Sequence, residues 1–533
     1  MKKCIFCLLL LILIPLSVRA DLPAATASDF SVASIFTDNM VLQRDREIRI
    51  WGTSKDEGAT LYVKLDDQIA FATVQGGVWE AVLPPQAACN EPKVLEICGS
   101  AEASHFFLEN IVIGDVWWVL GQSNVEYSAT SMVEWLTVRD TLPSSARVIT
   151  YNSDDISDTE AEEGFSASER RYWRPLTSYS AAQSSALGVC LVRDIAKKIE
   201  TDIPLGLISM GFRGQDLAMF VPPHIAEDMT AAGKKSEIYN RVIRSMEHLP
   251  VRGLVWYQGE ANGPTYAEYN KKFTDFITHL RDNMGHFPVY IIELAPCFPP
   301  SAQDSEWQYL DFGIVRGEMG TLPMQTEDVY MISTSDLWTS RTYKNSLHPP
   351  NKMAVANRAA NAILTNAYKL WDEEMALSPT VSKVNYGETN CEVYVTFSHV
   401  GDGLITTDKS GNQVLGFSAI DRKWNPISSL SAQLISRDTI HIVCDREICI
   451  LQYGCRTDDV FPETVSLASS HFLPAAAFRT ILSEPDNAPF YVVLYQYGYA
   501  FCKNYWPYIL VAVFSLFLIV LFGVIRKKKT RKS

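Results

Sequence analysis

Over residues 30–108, apolar and polar positions alternate or cluster in short runs between turn signals, as in "EIRIWGTS", "TLYVKLDD" and "GGVWEAVLPP". A two-residue period predicts strands with one buried face. No long helical pattern interrupts it, so residues 21–108 read as a small β-sandwich. From residue 109 the pattern changes. Solidly apolar runs ("DVWWVLG", "IPLGLISM", "VRGLVWYQG", "VYIIELA" and "VYMISTSD") alternate with helical segments. In one such segment Tyr266, Tyr269, Phe273, Phe276, Ile277 and Leu280 recur at three- and four-residue steps until Gly285 ends the pattern. Strands without a polar face need cover on both sides. Residues 109–374 are therefore predicted to form a parallel sheet between helices. After residue 375 alternation returns in "CEVYVTFS", "TIHIVCD" and "ICILQYG", a second β module running to residue 480. Residues 481–504 read as a stalk.

Two further apolar runs lie outside this scheme. Lys2 and Lys3 precede an apolar stretch from Cys4 to Leu16, and Val18 and Ala20 occupy the −3 and −1 positions of a cleavage site. Residues 1–20 read as a secretory signal peptide, with the mature chain starting at Asp21. Residues 505–525, "YWPYILVAVFSLFLIVLFGVI", carry no charge and are long enough to cross a bilayer core of about 30 Å. The basic residues of 526–533 follow and predict a cytosolic tail. A removed lipid-anchor signal normally ends in its hydrophobic tail, and the basic cluster argues against one. The sequence thus predicts a single-pass type I membrane protein with its folded part extracellular or lumenal. Plasma membrane, lysosome and secretory pathway all stay open.

Charge and cysteine usage narrow the partners. The chain has 47 basic and 61 acidic residues. With the signal peptide and tail set aside, 38 basic residues face 61 acidic ones. Nucleic acid is excluded as a partner on this balance, because phosphate binding needs a basic face. Outside the signal peptide and the juxtamembrane Cys502, eight cysteines remain. An oxidising compartment permits disulfides, with Cys89–Cys98 and a pair within Cys444, Cys449 and Cys455 as local candidates. A metal site is the alternative, but none of the eight forms a CxxC pair and no histidine pair completes one. No cofactor or metal is expected.

Three polar clusters each end or closely follow an apolar run. They are Gly121-Gln122-Ser123-Asn124, Gln258-Gly259-Glu260 in "WYQGEAN", and "DLWTSRTYKNSLHPPNK" from Asp336 to Lys352, which holds His348. A serine hydrolase needs a nucleophile, a base, an acid to orient the base and donors for the oxyanion, and these places supply all the types. Singly, each has a plain alternative: a turn serine, a core histidine, a surface carboxylate. In an open α/β sheet, however, ligands bind beyond the carboxyl ends of the strands, where "GQSN" falls. The pattern is not the G-x-S-x-G elbow, since Val125 stands where the second glycine would be.

The blocks "DVWWVLGQSNVEY", "PLGLISMGFRGQ", "GLVWYQGEAN" and "SLHPPNK" resemble the successive blocks of the sialate O-acetylesterase family, within the SGNH-type hydrolases. "FTDNMVLQRDREIRIWG" and "FLPAAAFRT" extend the resemblance to roughly residues 34–480. It implies an SGNH-type three-layer α/β/α catalytic domain with flanking β domains, and hydrolysis of O-acetyl esters on sialic acids. By position it implies Ser123 as nucleophile and His348 as general base. The amides of Ser123 and Gly214 and the side chain of Gln258 are implied as oxyanion donors. Two departures stand out. Many relatives carry an aspartate two or three residues before the histidine, where this chain has Ser346 and Asn345, so the orienting acid is expected from Glu260, or else from Asp336. Relatives commonly have "WGGT" where this chain has "GFRGQ", so Arg213 replaces a glycine and is a candidate for binding a substrate carboxylate. Two alternatives remain: an acetylesterase acting on xylan or another neutral glycan, and a non-catalytic glycan-binding protein on an esterase fold.

Overall fold

A computed structural model describes residues 25–486, apart from 100–104, 157–170, 200–201, 232–233, 297–311, 338–346, 408–411, 457–458 and 460. The expected signal peptide, the 505–525 span and its basic tail, most of the stalk and Cys297 lie outside the described residues. Among the described residues no helix is long and apolar enough to cross a membrane.

One strand organises the molecule. His105–Gly121 is 17 residues long. Its first half pairs antiparallel with Cys89–Cys98 in the N-terminal β layer. Its second half is the centre of a parallel sheet, flanked by Leu205–Gly211 and Gly253–Tyr257. Exposed and buried residues are mixed up to Asn110, and every residue from Ile111 to Gly121 is buried. The switch marks where the strand leaves a half-exposed antiparallel sheet for one covered on both faces. The two layers are therefore continuous through a single backbone, and position 108/109 falls inside this strand.

The parallel sheet runs Ala146–Tyr151, Leu205–Gly211, His105–Gly121, Gly253–Tyr257, Val289–Ile292, Val329–Ile332, with Arg174–Pro175 as a short antiparallel edge. Helices Ala186–Ile199 and Lys352–Asn366 pack together over one face. Helix Tyr266–Met284 covers the other, where Trp256 meets Phe273 and Phe276. Its apolar residues at helical spacing are all buried, as the periodicity predicts. The result is the expected α/β/α sandwich. The C-terminal β region forms four-, three- and two-stranded sheets around a second core. It is bound to the catalytic layer by the buried carboxylate of Glu293, which accepts from Ala477 N at 2.8 Å, and by an Arg479–Glu318 ion pair.

The disulfides expected from sequence are not formed: all seven described cysteines are free. The reason is geometric. Cys89 and Cys98 close the two ends of one ten-residue strand. An extended strand of about 3.3 Å per residue holds them far beyond the ~7 Å that a disulfide spans. Cys449 and Cys455 flank the strand Ile450–Tyr453 in the same way. Cys444 instead faces Cys391 across a sheet, its amide 3.0 Å from the Cys391 carbonyl.

Candidate active site

The site begins where three strands end in register. Gly121 stands beside Gly211 on one side and Tyr257 on the other. Phe212 N donates to Gly121 O at 3.0 Å, and Gln122 N donates to Tyr257 O at 3.1 Å. "GQSN", "GFRGQ" and "QGEAN" thus leave one point on the carboxyl edge. Later strands are added on opposite sides of this central one, and connections that diverge in this way open a crevice. A β-carbon on Gly121 would lie 2.0 Å from Tyr257 O, and one on Gly211 would lie 2.3 Å from Glu126 N. Both positions require glycine because the turn is pressed against the sheet.

Ser123 is half-buried and opens the short helix Ser123–Glu126, with Gln122 before it as the cap. The first amides of a helix have no acceptor within it, which leaves the Ser123 and Asn124 N–H groups available at the crevice. The Gln122 side chain turns back into the protein. Its Oε1 accepts from Gln258 Nε2 and Gly259 N, each at 3.3 Å, and so ties the first cluster to the second.

Asn124 is the junction of the site. It is 1% exposed. Its Nδ2 donates to Glu260 Oε1 at 2.5 Å and to the carbonyl of Leu347 at 3.2 Å. Its Oδ1 accepts from the buried Lys352 ammonium. The neighbours dictate this amide orientation: a lysine can only donate and a carbonyl can only accept. One side chain therefore joins "GQSN", "QGE" and "LHPPNK". Because Asn124 follows Ser123 and Leu347 precedes His348, the same bonds bring nucleophile and histidine to one edge. Burial raises the Glu260 carboxyl above its usual value, opposed by its own backbone amide, Asn124 and Lys352. Burial likewise pulls Lys352 down to about 7, opposed by Glu260. The Lys352 ammonium also lies over the rings of Tyr127 and Tyr257, at 5.1 and 5.5 Å from their centroids.

His348 sits on the Leu347–Pro350 segment just before the helix Lys352–Asn366, which is capped by Asn351 Oδ1 on Ala354 N. Burial lowers the imidazole pKa, and the Lys352 charge lowers it further. No carboxylate is among the causes of that shift. A neutral imidazole at neutral pH is the form a general base needs. The expected kcat/KM profile therefore rises through an ionisation below the ordinary histidine value and is flat by about pH 7. Initial rates on a soluble acetyl ester across this range check it; an ascending limb centred above the ordinary value contradicts the assignment.

Several side chains sit differently from expectation. Glu260 is within the junction, where its described partners are Asn124 and Lys352 rather than His348. Asp336 is held by Arg358 through two bonds of 2.7 and 2.8 Å, with Arg358 also donating to Ser333 O. Gln258 is 0% exposed. Its amide faces the acceptors Asn262 Oδ1, Gln215 O and Gln122 Oε1 at 2.6, 3.1 and 3.3 Å. Two hydrogens shared among three acceptors leave none for an oxyanion, so Gln258 holds the loops together instead. Gly214 has φ +71° with open space around its α-carbon. The left-handed conformation thus falls on the retained glycine, and Arg213 is not among the residues with positive φ. The substitution of Arg213 for glycine is accommodated without backbone strain. The Arg213 amide donates to Glu126 Oε2 at 2.8 Å, and its guanidinium, 65% exposed, lies 3.4 Å from Glu126 and 3.6 Å from Asp154.

Sequence reasoning assigned no role to Asn124, Lys352 or Glu126. All three stood inside the quoted motifs, as polar residues near the nucleophile or after the histidine. Their signal was present but pointed to no partner. No group of metal-ligating side chains occurs around Ser123 among the described residues. A cleft of about 1,040 Å³ lined by Trp51 and His248 includes none of these residues.

Residues 113–365 match the family described as carbohydrate esterase, sialic acid-specific acetylesterase. The chain is 24% identical over 533 aligned residues to a protein named sialate O-acetylesterase from Pongo abelii, covering 90% of this chain and 97% of that one. It is 25% identical over 398 residues to the protein of that name from Homo sapiens, covering 66% and 73%. The crystal structure of a novel carbohydrate acetylesterase from Xanthomonas citri superposes with a TM-score of 0.66 at 22% identity, covering 85% of this chain and 99% of that one. Through residues 113–365 this chain is thus similar to the family of carbohydrate esterases described as sialic acid-specific acetylesterases, and it is a serine ester hydrolase.

Proposed function

We propose that this protein removes O-acetyl groups from sialic acids, with Ser123 as nucleophile and His348 as base. The observation that carries the roles is the Asn124 junction, which draws the Ser123 turn and the His348 segment together. In this mechanism Ser123 Oγ attacks the acetyl carbonyl as His348 accepts its proton. The amides of Ser123 and Gly214 donate to the oxyanion. Collapse expels the sugar alkoxide, which takes the proton from His348, and leaves an acetyl-serine. Water then attacks the acetyl-serine with His348 again as base, releasing acetate. Glu260 acts at one remove. Its carboxylate and the Lys352 ammonium are bridged by Asn124, and that bridge holds the Leu347 carbonyl and hence the histidine.

Substrate choice is the finer question. The family description and the names of the curated relatives support sialic acid. One observation favours a neutral acetylated glycan instead: Arg213 is flanked by Glu126 and Asp154, which compensate its charge. Acetate release from O-acetyl sialic acid compared with acetyl-xylan tests the reading. Faster turnover of the sialic acid ester is expected, and turnover of the xylan ester alone overturns it. Arg213→Ala is expected to raise KM for an acetylated sialoside several-fold while leaving that for a neutral acetyl ester unchanged. Equal effects on both substrates remove Arg213 from substrate recognition.

We also propose that the catalytic part is displayed outside the cytosol from a C-terminal anchor. The charge-free stretch 505–525 and the basic residues after it support this. Retention of the full-length protein in the membrane pellet after carbonate extraction is expected, and release into the supernatant contradicts it.

A further inference from the structure

At the far end of the strand that leads to Ser123, a second cluster of chemically active side chains has no part in ester hydrolysis. His105 begins the strand His105–Gly121 and pairs in register with Cys98 at the end of Cys89–Cys98. Cys98 in turn pairs with Tyr62 on Thr60–Leu65. Glu96, two residues before Cys98, shares its face of the strand. Cys98 Sγ donates to Glu96 Oε1 at 3.1 Å, and His105 Nδ1 lies 3.9 Å from the same oxygen. One ligand atom each from Glu96, Cys98 and His105 falls within 4.8 Å of the other two.

We propose that Glu96, Cys98 and His105 form a binding site for a divalent transition-metal ion of zinc's character. A tetrahedral zinc bound by thiolate, imidazole and carboxylate has bond lengths of about 2.3, 2.0 and 2.0 Å, which places its donor atoms roughly 3.3–3.5 Å apart. The distances here bracket that range, so small side-chain rotations close the triangle. The donor set of one soft and two borderline or hard ligands suits zinc and cobalt over calcium or magnesium. Cys98 is buried, while Glu96 and His105 are half-buried, so the ion is reached from solvent on the side of the last two. Lys64 lies 3.9 Å from the other carboxylate oxygen, Glu96 Oε2, and so leaves the bonding oxygen to the ion. Tyr62 hydrogen bonds to Cys98 and supplies an outer contact to the thiolate sulfur. The fourth position is left to water. Such an ion ties together two strands, one of which continues into the catalytic sheet.

The sequence hid this arrangement because Cys98 and His105 are seven residues apart, with Glu96 two residues earlier. Only the antiparallel register brings the three together.

The test uses the full chain, stripped of metal and titrated with Co²⁺. One equivalent is expected to produce a thiolate-to-cobalt charge-transfer band in the near ultraviolet and the visible bands of a tetrahedral ion. Zn²⁺ should displace both. C98S is expected to abolish the charge-transfer band, and H105Q and E96Q to weaken cobalt binding at least tenfold. Since Cys98 is buried, H105Q and E96Q keep the test meaningful if C98S fails to fold. Absence of the charge-transfer band in the folded wild-type protein overturns the site. So does its persistence in folded C98S, or unchanged cobalt affinity in both H105Q and E96Q. Esterase activity does not enter the readout.

Discussion

Ser123→Ala is expected to lower kcat for acetyl-ester hydrolysis by about 10⁴- to 10⁶-fold while KM changes little. The size follows from the role. Without Oγ no acetyl-enzyme forms, and only binding and the oxyanion amides remain to accelerate direct attack by water. The replacement removes one atom from a half-buried turn whose backbone is held by other bonds, Gln122 N on Tyr257 O and Phe212 N on Gly121 O among them. The fold should therefore persist, with a melting temperature close to that of the wild type. Two measurements check the assignment: steady-state kinetics on an acetyl ester, and labelling by a fluorophosphonate. Wild-type protein should take up one label per chain and Ser123→Ala none. A variant that keeps a tenth of wild-type turnover, or still takes the label, places the nucleophile elsewhere.

Asn124→Ala carries the second large effect, and for a different reason. The Asn124 side chain is buried and acts through its neighbours. It bridges a carboxylate and an ammonium that are both buried, and it holds the Leu347 carbonyl. Removing the amide leaves three buried polar groups short of a partner. Each such group costs about 1–3 kcal/mol, and more when charged. A stability loss of about 3 kcal/mol is expected in denaturant titrations. Releasing Leu347 also frees the segment that carries His348, and a displacement of about 1 Å in a catalytic group can cost 10² in rate. We expect kcat to fall by about 10²-fold at 20 °C, where the variant is still folded. Fluorophosphonate labelling should slow in parallel, because the serine loses its positioned base. If folded Asn124→Ala keeps kcat within threefold of wild type, the junction is structural only, and His348 is held by something else.

These two residues stand side by side, yet only one was readable beforehand. Ser123 was legible because its signal is local. An apolar run that ends in small polar residues marks the carboxyl edge of a sheet, and the spelling "GQSN" matched a family. Asn124 shared that spelling, but its function depends on partners 136 and 228 residues away. The orienting acid shows the same limit. Glu260 and Asp336 were both reasonable from sequence, since each follows a strand. What separates them is that Arg358, on the helix after His348, claims Asp336, whereas Lys352, six residues earlier on the same helix, approaches Asn124. Gln258 failed as an oxyanion donor for a related reason. A motif position names an amide but not the acceptors that surround it.

What the sequence determined by itself was the periodic and the local. The two-residue alternation, the doubly buried runs and the helical stripe of 266–280 each follow from which residues must leave water, and each is visible within a dozen positions. They were enough for the sandwich, the parallel sheet and the second β module. The tertiary structure alone decided the rest. Strand order placed Gly211 and Tyr257 on either side of Gly121, and antiparallel register set Cys98 against His105 while holding Cys89 far from Cys98. Burial then converted ordinary side chains into a coupled Glu260–Asn124–Lys352 bridge. Those outcomes depend on contacts between distant segments, and desolvation acts on a group only once the fold has closed around it.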